Sequence, residues 1–143
     1  MKVKIKLIDK SLPHPEYKTS GSVAFDLCVR ENVTIKPFVA TLIPLNIIVE
    51  TPPGYFLLLV PRSSTPMKKS LIITNGIGVI DQDYCGENDE IKLQVLNYSN
   101  QDVIVEKGER IAQAMLVKIQ QIEEFKIVDK MNDKSRGGFG STG

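Results

Sequence analysis

Apolar residues along the chain recur in short runs separated by polar turn formers. Runs of β-type composition occupy residues 3–8, 23–29, 33–35, 42–49 and 55–60, and again 71–73, 91–96, 103–105 and 111–119. Many short strands at close spacing predict an all-β barrel or sandwich. Between neighbouring runs stand TPPG (51–54), NYSN (97–100) and EKGE (106–109), each predicted to be a hairpin turn. Helical periodicity is confined to residues 63–69, where a serine cap and Pro66 in the first turn predict one short helix. From Lys130 onward apolar periodicity stops and glycine, serine and charge take over. The organisation predicted is one β domain over 1–129 and a flexible arm over 130–143.

Composition narrows the function. With 143 residues and 42% apolar content the chain can build one core. Eighteen basic and seventeen acidic residues leave a net charge of +1, so no global field favours nucleic acid or an anionic membrane, and any anion site must be local. Cys28 and Cys85 are too few for a disulfide framework and lack zinc or redox spacing, which fits an intracellular, cytoplasmic setting. The alternating start, MKVKIKLIDK, reads as a strand and resembles neither a signal peptide nor a membrane span.

Five segments carry candidate chemistry. In AFDL (24–27) Asp26 is a lone acid in an apolar strand, on a solvated face or held for a purpose. In PRSS (61–64) Arg62, Ser63 and Ser64 stand where a strand gives way to a helix, a place suited to an anion and equally to a plain capped helix. In GVIDQDYCGE (78–87) acids at 81, 83 and 87 follow a strand; Cys85 stands where a calcium loop needs an oxygen, and one carboxylate beside a ring could activate water. In GERIAQ (108–113) Arg110 and Gln113 are an odd number of residues apart, so joint action requires a bulge or the turn itself. The tail, RGGFGSTG (136–143), combines a cation, glycines, a ring and two hydroxyls, the parts of an anion clamp and also of a simple linker. His14, the single histidine, lies between prolines and reads as a surface loop residue without a partner.

Taken in chain order, these segments resemble the five motifs of the trimeric dUTPase family, with GVIDQDYCGE and RGGFGSTG the most specific. The resemblance implies a jelly-roll-like β barrel of the β-clip kind, assembled as a homotrimer with active sites between subunits. It implies hydrolysis of dUTP to dUMP and diphosphate, which limits uracil in DNA and supplies dUMP for dTMP synthesis. Asp81 would deprotonate the water that attacks the α-phosphorus, with Mg2+ held by the triphosphate and by water, and with Asp26 anchoring metal-bound water indirectly. Arg62, Ser63, Ser64 and Gln113 would contact the phosphates, with Arg110 in support. Arg136, Gly140, Ser141 and Thr142 would close over the γ-phosphate, and Phe139 would cover the uracil. Tyr84 would pack on the deoxyribose and exclude a 2′-hydroxyl, and Asn75 would position substrate or water. Uracil would be read by the backbone of a hairpin from Gly78, Val79 and Ile80 to about Lys92; mispairing at such buried polar groups separates substrates by about 10⁴ to 10⁵.

Three departures stand out. Phe25 occupies a position where tyrosine is common, Ser64 one where glycine often follows, and residues 87–90 lengthen the hairpin tip before Lys92. A related fold, that of the dCTP deaminases, shares an R-S-S segment, but its chemistry needs an arginine where Met67 stands.

Overall fold

The computed structural model describes residues 1–131, 134, 135, 137, 138 and 140. Eleven strands and one helix follow in order: β1 (Lys4–Leu7), β2 (Phe25–Cys28), β3 (Val33–Ile35), β4 (Ala40–Pro44), β5 (Ile47–Glu50), β6 (Tyr55–Pro61), α1 (Thr65–Lys69), β7 (Leu71–Ile73), β8 (Gly78–Ile80), β9 (Lys92–Asn97), β10 (Val103–Val105) and β11 (Arg110–Lys118). They make four antiparallel sheets, β1-β5, β10-β3, β2-β11-β6-β8 and β4-β9-β7. The architecture is all-β with one short helix, as the spacing of apolar runs predicts, and jelly-roll-like, as the resemblance implies.

Alternation fixes which side chains fill the interior. In β9 Leu93, Val95 and Asn97 point inward while Lys92 and Gln94 are exposed. In the four-stranded sheet the inward rows are Leu27–Ala112–Pro61, Phe25–Ala114–Leu59–Gly78 and Leu116–Leu57–Ile80. These join Ile35, Ile43, Leu45, Ile47, Leu71 and Ile91 in one continuous core. Gly78 is required where it stands, because a Cβ there would lie 2.8 Å from Cβ of Leu59.

Four local expectations are corrected. The apolar run 42–49 is two strands: Asn46, at φ 64°, breaks it, and its buried side chain accepts from Asp9 N at 2.6 Å and donates to Asp9 O at 3.0 Å. β4 then pairs with β9, and β5 with β1. The three turns at 51–54, 97–100 and 106–109 join strands of different ladders and are not hairpins. Turn residues reverse the chain without choosing the next strand's partner. At 97–100 the choice is made by Asn97, fully buried, whose amide donates to Ile35 O at 3.0 Å and so ties the end of β9 to β3. Likewise residues 78–92 do not form a ladder-paired hairpin, since β8 pairs with β6 while β9 pairs with β4 and β7. In α1 the N-cap is Ser64, but its hydroxyl makes no capping bond; Thr65, buried, holds the junction by donating to Ile111 O at 2.7 Å.

Candidate active site

β2, β11 and β6 lie side by side, and one outward row of their sheet contains Asp26, Gln113 and Val60. The register of β11 against β2 shifts between Arg110 and Ala112. Ile111 and Ala112 are both buried as a result, and the bulge turns Arg110 toward the face that carries Gln113. Of the two ways open to residues at this odd spacing, a bulge or the turn itself, the fold uses the bulge. Asp26 then sits between two guanidinium groups: its Oδ1 is 3.0 Å from Arg62 Nε and its Oδ2 is 3.3 Å from Arg110 Nη1. Its side chain is only 12% exposed, so the acid is held and does not face open solvent.

The backbone supports this corner. Arg62 donates through its amide to Ile111 O at 3.0 Å and through Nη1 to Arg110 O at 3.2 Å. Gln113 Nε2 donates to Pro61 O at 3.1 Å. The hydroxyls of Ser63 and Ser64 have no hydrogen-bond partner among the described residues, and Ser63 is exposed. Two cations held by one carboxylate leave one positive charge in excess, next to free hydroxyl donors. Such a corner suits a polyanion.

A cleft of about 210 Å³ opens beside Asp26 and Arg110, bordered by His14, Glu16 and Lys18. His14, an exposed loop residue as expected, stands at the rim of this corner with Nδ1 3.0 Å from Pro15 O. Lys18, hydrogen-bonded to Glu16, holds that carboxyl below its usual range. Burial pushes the thiol of Cys28, which also borders the cleft, upward.

The second cluster follows β8. Asp81 is exposed, and its carboxylate meets no partner among the described residues. Beyond it the loop is braced. Tyr84 N donates to Asp81 O at 3.4 Å, Tyr84 Oη to Glu90 O at 3.4 Å, and Gly86 N to Asp89 Oδ2 at 2.7 Å. Lys6 pairs with Glu87. The main anchor is Glu90, 8% exposed, whose Oε1 accepts from Arg30 Nε at 2.8 Å and from Asn46 N at 3.0 Å. Glu90 in turn raises the guanidinium of Arg30 above its ordinary value.

Within one chain these clusters are far apart. β8 runs antiparallel to β6 with Leu59 opposite Gly78 and Leu57 opposite Ile80. Asp81 therefore leaves the sheet near Phe56, at the end of β6 away from Arg62. Six residues of strand at about 3.3 Å each place the two roughly 20 Å apart along the sheet. Asn75 lies in the turn that enters β8 from the Leu59 end, and Lys92 is exposed on a different sheet.

Comparison with known proteins bears on what this arrangement is. Residues 10–143 match the family model described as dUTPase. The deoxyuridine 5'-triphosphate nucleotidohydrolase of Hydrogenobaculum sp. (strain Y04AAS1) is 41% identical over 145 residues, covering 100% of this chain and 99% of that protein. The chain belongs to the dUTPase family. The enzyme of the same name from Finegoldia magna is 40% identical over 146 residues, covering 99% of both. Among solved structures, a mutant dUTPase of Staphylococcus bacteriophage 80alpha with dUpNHpp superposes with a TM-score of 0.84 at 27% identity, covering 99% of this chain and 98% of that one. The dUTPase from Streptococcus mutans gives 0.76 at 31% identity over 84% of this chain and 98% of the other.

As a dUTPase the chain is a hydrolase. The residues expected to act are divided by the fold as follows. Asp26, Arg62, Arg110 and Gln113 are brought together with Ser63 and Ser64 nearby, whereas Asp81 and Tyr84 are on the separate loop. Gly140 is described, exposed and at φ 88°; Arg136, Phe139, Ser141 and Thr142 lie outside the described residues. Sequence reading missed Thr65, Arg30, Asn46 and Glu90, which hold the two clusters in place. A threonine at a strand-to-helix junction was a visible signal; nothing local marks the long-range partners of Glu90.

Proposed function

We propose that this dUTPase family member converts dUTP to dUMP and diphosphate at a site assembled between copies of the chain in a homotrimer. The observation that carries the reading is the Asp26 carboxylate shared by Arg62 and Arg110, with Asp81 about 20 Å away on the same sheet. Arg62, Arg110 and Gln113, with Ser63 and Ser64, receive the triphosphate. A second copy brings Asp81 to the α-phosphorus, where the carboxylate takes a proton from the attacking water. Asp81 suits this role because no cation among the described residues engages it. Tyr84, braced through Glu90 O, packs on the deoxyribose, and the backbone of Gly78, Val79 and Ile80 reads uracil, with Asn75 and Lys92 at the edges. The arm, through Arg136, Phe139, Gly140, Ser141 and Thr142, closes the site.

Mg2+ fits this donor set. The ion would be held mainly by substrate phosphates and water, with the Asp26 carboxylate, at the phosphate-facing corner beside Arg62 and Arg110, reaching it through water. Its chemistry when bound is neutralisation of phosphate charge. The unpaired thiols of Cys28 and Cys85 suit a reducing cytoplasm.

The test is a dUTP hydrolysis assay on the wild type and Asp81→Asn. The variant is expected to bind a non-hydrolysable dUTP analogue like the wild type while losing roughly 10² to 10⁴ in turnover. Normal turnover in Asp81→Asn would remove it from the role, and release of ammonia from dCTP without dUTP hydrolysis would reverse the assignment.

A further inference from the structure

Among the described residues the side chain of Tyr84 makes one hydrogen bond, from Oη to the main-chain carbonyl of Glu90 at 3.4 Å. Its ring is 40% exposed, so packing fixes it only in part. Where the ring stands therefore depends on where residue 90 is put.

Residue 90 is gripped by groups from distant parts of the chain. Its carboxylate accepts from Arg30 Nε at 2.8 Å and from the amide of Asn46 at 3.0 Å. The next residue, Ile91, is fully buried; it donates to Ile47 O at 2.9 Å and accepts from Leu45 N at 3.0 Å. The chain from 45 to 47 thus wraps around residues 90 and 91. The wrap depends on Asn46, whose φ of 64° is tolerated by asparagine better than by most residues, and whose buried side chain is tied to the backbone of Asp9. Arg30 is fixed in turn, its amide donating to Pro44 O at 3.0 Å and its Nη1 to Glu31 at 2.9 Å.

We propose that Glu90, held by Arg30 and by the amide of Asn46, is a positioning residue that sets the preference for dUTP over UTP through Tyr84, an inference that rests on the reading of Tyr84 as the group packed on the deoxyribose. A wall excludes a 2′-hydroxyl only while it cannot step back, and a slack on the order of 1 Å is enough to admit one more oxygen. A largely buried carboxylate with two donors supplies the needed stiffness. The other brace of this loop, Lys6 with Glu87, joins side chains that are 44% and 82% exposed and is too well solvated to do so.

The test is steady-state kinetics with dUTP and with UTP, on the full chain with Mg2+, read as the ratio of kcat/KM for the two nucleotides. A merely stabilising role would lower the melting temperature and scale both nucleotides alike, whereas a positioning role moves the ratio. Glu90→Ala and Tyr84→Phe, which removes the bond and keeps the ring, are each expected to lower the ratio about tenfold or more, mainly through KM. Glu90→Gln retains an oxygen acceptor and should keep most of the wild-type ratio, and Lys6→Ala all of it. Should Glu90→Ala fail to fold, Tyr84→Phe carries the same test. A wild-type ratio in Tyr84→Phe and in folded Glu90→Ala, with a collapsed ratio in Tyr84→Ala, would overturn the inference and leave the reading of the site standing. So would a shift as large in Lys6→Ala. A wild-type ratio in Tyr84→Ala would sink the reading of Tyr84 itself, and the inference with it.

Discussion

Asp26 lies within the four-stranded sheet and Asp81 just beyond one of its strands, yet their surroundings are opposite. Asp26 is largely enclosed and holds two arginines; Asp81 is exposed and engages no described side chain. The difference separates two tasks. A carboxylate clamped by two guanidiniums sets the positions of cations before any ligand arrives, and preorganised donors are worth more than flexible ones. A carboxylate left without a cation keeps its lone pairs for a proton. The bracing differs as well. The arginine corner is held by adjacent strands, whereas the Asp81 loop is held at a distance by Glu90.

Substitutions can break this contrast from either side. Of three further substitutions the largest effect is expected for Arg62→Ala, which removes a proposed phosphate donor and should lower dUTP turnover by roughly 10² to 10³. Steady-state kinetics with thermal melting checks it; an unchanged rate with an intact fold would deny the corner its role. Glu90→Ala should act through the loop instead. It removes the acceptor of Arg30 Nε, leaving that guanidinium only its Glu31 partner, and leaves the amide of Asn46 unsatisfied, so stability should fall by about 1 to 3 kcal/mol in denaturant titration. KM for dUTP should rise as residue 90, whose main-chain carbonyl accepts from Tyr84 Oη, loses the side-chain anchor that positions it.

Asp9→Asn, in neither cluster, should do least. Lys107, whose Nζ is 2.5 Å from Asp9 Oδ2, together with Ser11, holds the Asp9 carboxyl below the usual carboxylate range. A depressed folded value means that the stabilisation is present above the ordinary carboxylate pKa of about 4 and is lost as pH falls through the folded value. Asp9→Asn should therefore lower Tm slightly at pH 7, and the difference from wild type should shrink as the solution is acidified below that value. The dUTP rate should not change.

The chain's legibility divides along the same line. Strand positions were readable because β runs declare themselves by alternation and by the turn residues around them; residues 33–35, 71–73 and 103–105 emerge as drawn. Pairing was not readable, because partners such as Asn97 and Ile35 are brought together only by the folded chain. Pro44 and Asn46 did mark the break inside 42–49. In the candidate site, Arg62, Arg110 and Gln113 were recognisable by motif, and the bulge between Arg110 and Ala112 is one of the two arrangements, with the turn itself, that their spacing left open. The grip on Asp26 was not, since a lone acid in a strand is more often solvated. Glu90 looked like part of a polar tip, and burial alone reveals it as the anchor.

The central claim is that the two halves of one site come from different copies. It is tested most directly by co-expressing Asp81→Asn with Arg62→Ala in equal amounts, each nearly inactive alone. If halves are shared, random assembly leaves about a quarter of the sites with an intact Asp81 from one copy and an intact Arg62 from another, and the mixture should recover about that fraction of wild-type activity. Activity no higher than that of the separate variants, in a mixed assembly proven by differential tags, would contradict the account.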